Sequence, residues 1–489
     1  MLSERRQLIL NSMAVMSNRL TQSIASFVLT AAIARLLGAQ ALGQYLIGFT
    51  YYFMFMNVVA QGFKNLFIRE LARDPSVTPL YLISGSLLQF VFSLLGYGLL
   101  VFVVTLLPYS PETIQLCYLI GLALIPFSLS NVTEAIFQAQ ERMHLIAMST
   151  VPVYLVRVGA MIAVMLHGYG IQTVALLFVL SELLILLLQW GLMLRSIRPS
   201  WRVDWNFIGQ VAKAARTFLA IEAIAVLNSR RQLILLSLFG GEVAVGLFGA
   251  IAQFLMPFDI VIQSFILALF PKLSQALGTN RDRLRHLTEH LLDASLCIAV
   301  PYAVGLWFIG QSLLIGVYQD SSFSAAGSAL GWLALSLIVI AVNKPLSQAL
   351  IASNLERINL REVVVDTIVG GIITGFLIWQ FQLMGAVMAP IVTNLIALSQ
   401  FNWAVRKQLF RLHWWRIFRR SIGLAIIMIA VFWLAQYFSW SLIMTILLAM
   451  TVYGMAVILY GIQMLGGYTV TRNKLKSKLF RNLAKRGDV

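Results

Sequence analysis

The chain has 489 residues, 60% of them hydrophobic, with a mean hydropathy of +0.84 and a formal net charge of +17. Such a composition excludes a water-soluble domain, and the longest stretches between apolar runs, 196–212, 272–287 and 406–417, leave no room for a soluble catalytic or nucleotide-binding one. No Gly-rich phosphate loop occurs, which excludes a self-contained ATP-driven pump.

A hydrocarbon core of about 30 Å needs about twenty apolar residues per crossing, and cutting the chain on that rule gives about fourteen spans. In chain order they cover 12–37, 43–67, 80–107, 113–138, 146–167, 171–195, 213–239, 243–271, 288–312, 327–352, 360–381, 384–405, 418–438 and 441–464. The first span follows a short basic N-terminus and is of spanning length, so it reads as a membrane helix and not as a cleaved signal. The expected class is an all-α polytopic membrane protein.

Lysine and arginine keep to every second loop. The N-terminus, the even-numbered loops and the C-terminus hold 29 of the 36 basic residues, six of them between Arg406 and Arg420 and seven between Arg472 and Arg486. The odd-numbered loops, around Gln40, Glu112, Gly168, Glu242, Asp320, Gln382 and Ser439, hold none. The positive-inside rule then places both termini in the cytoplasm of a cell (inner or plasma) membrane. The net charge is accounted for by topology and anionic headgroups, so nucleic acid is not an expected partner.

Two segments echo each other. Gly38 and Gly43 introduce a long helix ending Phe67-Ile68-Arg69, and Gly241 and Gly246 repeat the spacing ahead of Phe270-Pro271-Lys272. Tyr169-Gly170-Ile171 is matched by Met384-Gly385-Ala386. Six spans per copy is an even number, so the two copies are parallel, related by an axis along the membrane normal. The expected organisation is a six-helix lobe at 1–195, a linker at 196–212, a second six-helix lobe at 213–405, two extra helices at 406–464 and a basic tail at 465–489.

An ionisable group inside a span costs at least a few kcal/mol unless it faces water or a partner. The basic ones are Arg19, Lys64, Arg157, Arg230, Arg231 and Lys344; the acidic ones are Glu134, Glu182, Glu222, Asp259 and Asp366. An aqueous cavity lined by Arg19, Arg157, Arg230 and Arg231 suits a phosphate or pyrophosphate, because guanidinium forks bind phosphate oxygens bidentately. The competing reading pairs Arg230 or Arg157 with Glu222 or Glu182 as helix staples. Arg230 and Arg231 are adjacent, about 100° apart on a helix, and cannot face the same way. Asn57, Gln61 and Lys64 share one helix face and extend the candidate cavity. Asp259 and Gln263, just past Pro257, form a second polar pair; Asp259 and Glu222 are candidate ion-coupling carboxylates. Gly371 and Gly375 are expected to form a small-residue packing face. Cys117 and Cys297 fall inside spans as small buried residues, His286 and His290 lack a third ligand nearby, and neither a metal site nor a cofactor is expected.

These residues resemble a family. Ala34-Arg35-Leu36-Leu37-Gly38 through Gly43-Gln44-Tyr45, then Gly62 and Arg69-Glu70-Leu71, is similar to the opening of bacterial polysaccharide (O-antigen-type) flippases. Gly246-Leu247-Phe248 leading to Leu269-Phe270-Pro271-Lys272 is similar to that family's eighth helix. The family belongs to the multidrug/oligosaccharidyl-lipid/polysaccharide exporter superfamily, and the resemblance extends over the whole chain. It implies a transporter, not an enzyme, that moves a polyprenyl-pyrophosphate-linked oligosaccharide between leaflets by alternating access through a basic cavity. It also implies glycan polymerase and chain-length machinery as partners. Where members often carry an acidic residue in the seventh helix, this chain has Arg230-Arg231-Gln232. The alternatives are a cation-coupled drug exporter of the same superfamily, in which cavity carboxylates would dominate, and an integral membrane glycan polymerase or ligase, which would need a large external loop.

Overall fold

With no water in the bilayer to satisfy backbone amides, a chain this apolar has helices and closed barrels as its only spanning forms. The computed structural model takes the first: its elements are helices, with no strand among the described residues. It describes residues 2–196, 199, 201, 203–277 and 281–464. The side chain of Arg19 and the basic tail 465–489 lie outside the described residues.

In chain order the helices are α1 (Leu2–Met56), α2 (Gly62–Arg73), α3 (Thr78–Leu80), α4 (Ser86–Thr105), α5 (Pro111–Gly121), α6 (Leu124–Ala139), α7 (Met143–Leu166), α8 (Ile171–Ser196) and α9 (Trp205–Phe239). They continue as α10 (Gly241–Gln253), α11 (Met256–Leu277), α12 (Arg281–Tyr318), α13 (Gly327–Ala352), α14 (Glu356–Val365), α15 (Gly371–Gln408), α16 (Trp414–Tyr437) and α17 (Leu442–Met464). Ten helical runs among the described residues are long and apolar enough to cross a membrane, and two shorter apolar helices, Gly241–Gln253 and Leu442–Ala456, accompany them. The chain is therefore a multi-pass membrane protein.

Two of the ten runs, Leu20–Arg73 and Glu356–Gln408, exceed a single crossing. Each contains a break where the sequence predicts a turn between spans. Gly38 has φ +84° and Gln382 has φ +47°, so neither residue continues the helix. Gly241 (φ +76°) opens α10 in the same half of backbone space as Gly38, which matches the repeated glycine spacing. Positive φ is strained for residues with a Cβ, so glycine is the natural occupant of both positions.

Among the described residues, three π-helical turns interrupt the regular ladder, at Asn57–Gln61, Tyr81–Gly85 and Asp366–Gly370. Caps close the polar ends. Ser110 accepts from the Thr113 amide ahead of α5, and Asp204 accepts from the Phe207 amide at 3.0 Å to start α9. Each satisfies an amide that the first helical turn leaves unpaired.

The chain packs as two compact units. Unit one holds residues 1–254, 314–329 and 363–393. Its core includes Phe63, Leu66, Phe67, Tyr81, Leu82, Ile136 and Phe137, brought in from α2, the turn before α4, and α6. Unit two holds 255–313, 330–362 and 394 onward. There Leu273, Leu284 and Leu291 form one cluster, and Met428, Val431 and Phe432 of α16 form another with Ala449 of α17. Large apolar side chains also line the outside, among them Leu95, Leu99 and Phe102 on α4 and Ile426, Ile429 and Trp433 on α16. In water this would be an anomaly; in lipid it is the solvent-facing surface.

One expectation needs correction. A Cβ on Gly371 or Gly375 would meet nothing within 4 Å, so these glycines do not form a packing face among the described residues. The buried stripe of α15 runs one position away, through Thr374 and Ile378, about 100° round the helix. Cys117 and Cys297 are free and buried.

Candidate functional site

Three deep basic residues of unit one form committed pairs with carboxylates. On α7, the Arg157 guanidinium donates to Glu182 of α8 at 2.9 Å and to Ser181 at 3.3 Å. Both side chains are largely buried, 14% and 7% exposed. Lys64 on α2 contacts Glu134 on α6 at 2.6 Å, and Gln189 of α8 donates to the other oxygen of that carboxylate at 3.3 Å. Arg231 on α9 donates to the backbone oxygen of Asp366 at 2.6 Å and to its carboxylate at 2.8 Å. Asn228, one turn earlier, donates to Thr367 at 2.7 Å. Those partners open the π turn at 366–370, and Gly370 leaves the room they need, since a Cβ there would press on the Asp366 carboxylate.

Arg230 is different. Its guanidinium lies over the ring of Phe53, 4.0 Å from the centroid, and its buried Nε has no hydrogen-bond partner. Among the described residues it makes no ion pair, and Glu222 two turns earlier on α9 makes none either. The ring's negative face attracts the cation, yet leaves the N–H fork unfilled.

Arg230 and Arg157 are joined by rings. Phe53 stacks near Phe49 at 6.4 Å, Phe49 meets Phe178 edge-on at 5.9 Å, and Phe178 lies 5.1 Å under the Arg157 guanidinium. Tyr52 closes on Phe178 at 5.3 Å, and Tyr154 takes the other contact with Arg157 at 4.8 Å. The aromatic side chains Tyr45, Phe49, Tyr52 and Phe53 recur at helical spacing on α1. That spacing is visible in the sequence, but an aromatic stripe of this kind is also what an ordinary packed helix shows.

Of the residues singled out from sequence, Arg230, Arg157 and Asn57 come together along this stripe; Asn57 donates to the backbone of Phe53 at 2.8 Å. Gln61 sits at the end of the same π turn and Lys64 one turn beyond. Arg231 points to the opposite partner, Asp366, as adjacent positions on one helix require. Asp259 lies in unit two, where its carboxylate holds Lys344 of α13 at 2.7 Å.

Sequence reasoning missed a second node. Glu242, in the first turn of α10, accepts from Gln40 at 3.2 Å, Gln44 at 3.1 Å, Ser110 at 2.5 Å and Thr113. Partial burial pushes its carboxyl up, but these side-chain hydrogen bonds outweigh burial and hold it below the usual carboxylate range.

Several solved structures share this helical fold. A lipid II flippase, MurJ, in an inward closed conformation aligns at a TM-score of 0.72 and 14% identity, over 92% of this chain and 98% of that one. An inward-facing multidrug resistance MATE family transporter aligns at 0.58 and 14% identity, over 82% and 99%. A MOP superfamily transporter from Pyrococcus furiosus aligns at 0.52 and 12% identity, over 82% and 95%. No curated protein sequence matches the chain. The profile of the polysaccharide biosynthesis protein family matches residues 32–323, more than half of the sequence, and the chain belongs to that family.

Proposed function

We propose that the protein moves a polyprenyl-pyrophosphate-linked oligosaccharide from the cytoplasmic to the outer leaflet of the cell's inner or plasma membrane, for surface polysaccharide assembly. Membership of a polysaccharide biosynthesis family and a fold shared with a lipid II flippase both support this reading. Two six-helix lobes, 1–195 and 213–405, would alternate access, with both termini in the cytoplasm. A glycan polymerase and its chain-length partner would receive the product.

The observation that carries the proposal is Arg230. A guanidinium with no carboxylate partner among the described residues is available to a pyrophosphate oxygen, and the Phe53 ring orients it. Asn57 and Gln61 add amides on the same face. Arg157, Arg231 and Lys64 shape the site while paired with their carboxylates. A drug exporter of the same superfamily is favoured by the MATE likeness alone. An unpaired arginine would repel the cationic compounds it exports. A polymerase or ligase has no large loop here to hold a growing glycan.

Leaflet accessibility tests the proposal. In cells lacking this protein, lipid-linked oligosaccharide should accumulate shielded from a glycan-specific probe that cannot cross the membrane, and restoring the protein should expose it. Normal exposure without polymerisation would replace this reading with the polymerase one.

A further inference from the structure

Unit two contains a cavity of about 490 Å³ between α11, α13, the end of α14, and α15. Its polar wall is Gln263, Asn343, Lys344, Ser347, Gln348 and Glu362, and its apolar floor includes Phe270 and Phe401. The volume falls within the range of small-molecule sites, and the mixed lining is typical of them.

The charge balance decides what fits. Lys344 is the cation on the wall, and its ammonium is already held by Asp259 at 2.7 Å, with the pair partly open at 35% and 52% exposure. Glu362 adds a further carboxylate to the wall. A pyrophosphate entering here would meet a lysine already neutralised by its own carboxylate. The remaining groups suit a different chemistry: Gln263 and Gln348 each offer two N–H donors and an acceptor, and Ser347 offers a hydroxyl oxygen. Asn343 is 5% exposed; its amide donates to the backbone of Asn394 at 2.8 Å, while its own buried Oδ1 has no hydrogen-bond partner. Hydroxyl groups that both donate and accept, on a ring with apolar C–H faces to lie against Phe270 and Phe401, are the property of a neutral sugar.

We propose that this cavity binds uncharged sugar residues of the transported glycan, at a site in unit two separate from the arginine that takes the pyrophosphate. The inference rests on the flippase reading for its substrate and adds the residues that would recognise the sugar.

The test uses full-length protein in lipid nanodiscs and saturation-transfer NMR. The probes are methyl glycosides of glucose, galactose, mannose, rhamnose and N-acetylglucosamine, with inorganic pyrophosphate as competitor. At least one glycoside should bind. Binding should fall at least tenfold in Gln348→Leu and, independently, in Gln263→Met, which alters an exposed position of α11. It should survive in Arg230→Gln and be indifferent to pyrophosphate. Failure of every glycoside, binding unchanged in both variants, or displacement by pyrophosphate would each overturn the site. The leaflet assay on wild-type protein keeps the two proposals apart. Restored exposure without glycoside binding removes the sugar site and leaves the flippase standing; absent restoration removes the flippase whatever the NMR gives.

Discussion

Gly43 of α1 and Gly246 of α10 meet with their backbones in contact, and the contact is reciprocal. A methyl group built on Gly43 would overlap the backbone oxygen of Glu242, four residues before Gly246. One built on Gly246 would overlap the backbone oxygen of Ala39, four residues before Gly43. Each glycine thus lies against the backbone four residues ahead of the other, with the roles interchanged.

Replacing Gly43 or Gly246 with alanine should therefore destabilise the protein by about 1–3 kcal/mol or more, because backbone cannot yield as a flexible side chain would. Gly371→Ala and Gly375→Ala, where a methyl group meets nothing, should leave the melting temperature nearly unchanged. Thermal unfolding of the four variants in one detergent gives the comparison. Equal losses at all four sites would contradict the close approach.

Arg157 and Arg230 should respond in opposite ways. Arg157→Ala leaves Glu182 buried and unpaired, a loss of about 3–5 kcal/mol. Adding Glu182→Gln should return much of it. Arg230→Gln strands no acid, so its stability cost should be small, near the 0.5–2 kcal/mol of a lost cation–π contact. Its effect should fall on translocation instead. Unfolding and leaflet exposure measured on the same variants separate the two, and a translocation-competent Arg230→Gln would contradict the role given to that residue.

Much of this arrangement was legible in the sequence, but unevenly. The breaks at Gly38 and Gln382 fall where charge and hydropathy put turns, since those signals are local. Glu182 as a partner for Arg157 was one of two readings that the spans left open, and adjacent helices made it reachable. Asp366 as the partner of Arg231 was not legible, because 135 residues separate the two and either could have met another charge. Nor was Phe53 under Arg230, since an aromatic ring leaves no charge pattern to read. Gly371 and Gly375 misled because small residues mark a helix face only when a neighbour happens to lie there.

Glu242 gives a pH dependence with a definite sign. Its carboxyl lies below the ordinary value in the folded protein, so its stabilisation is present above the usual carboxylate range and is lost as pH falls through the folded value. The gap in melting temperature between wild type and Glu242→Gln should be constant near neutrality and close below about pH 4, where unfolded carboxylates protonate. Asp74, also lowered, by the Ser76 side chain and amide, is present in both proteins and cancels. A gap that widens on acidification would reverse the argument.

The Lys344–Asp259 pair should behave as a surface pair does. With 35% and 52% of the two side chains exposed, a double-mutant cycle using Lys344→Met and Asp259→Asn should give a coupling within about 1 kcal/mol. A coupling comparable to that expected for Arg157 and Glu182 would mean that the cavity wall is drier than its geometry indicates.

The stacking of Arg230 on Phe53 has a kinetic consequence. A cation held by a carboxylate must be prised away before it can greet an arriving anion, and the abandoned acid then competes to take it back. An aromatic face makes no such counterclaim, for it can keep its contact with the flat guanidinium while the N–H edge turns to the newcomer. In the proposed cycle, loading and unloading would then cross low barriers at this residue, leaving the speed of each turnover to the helices that must move around it.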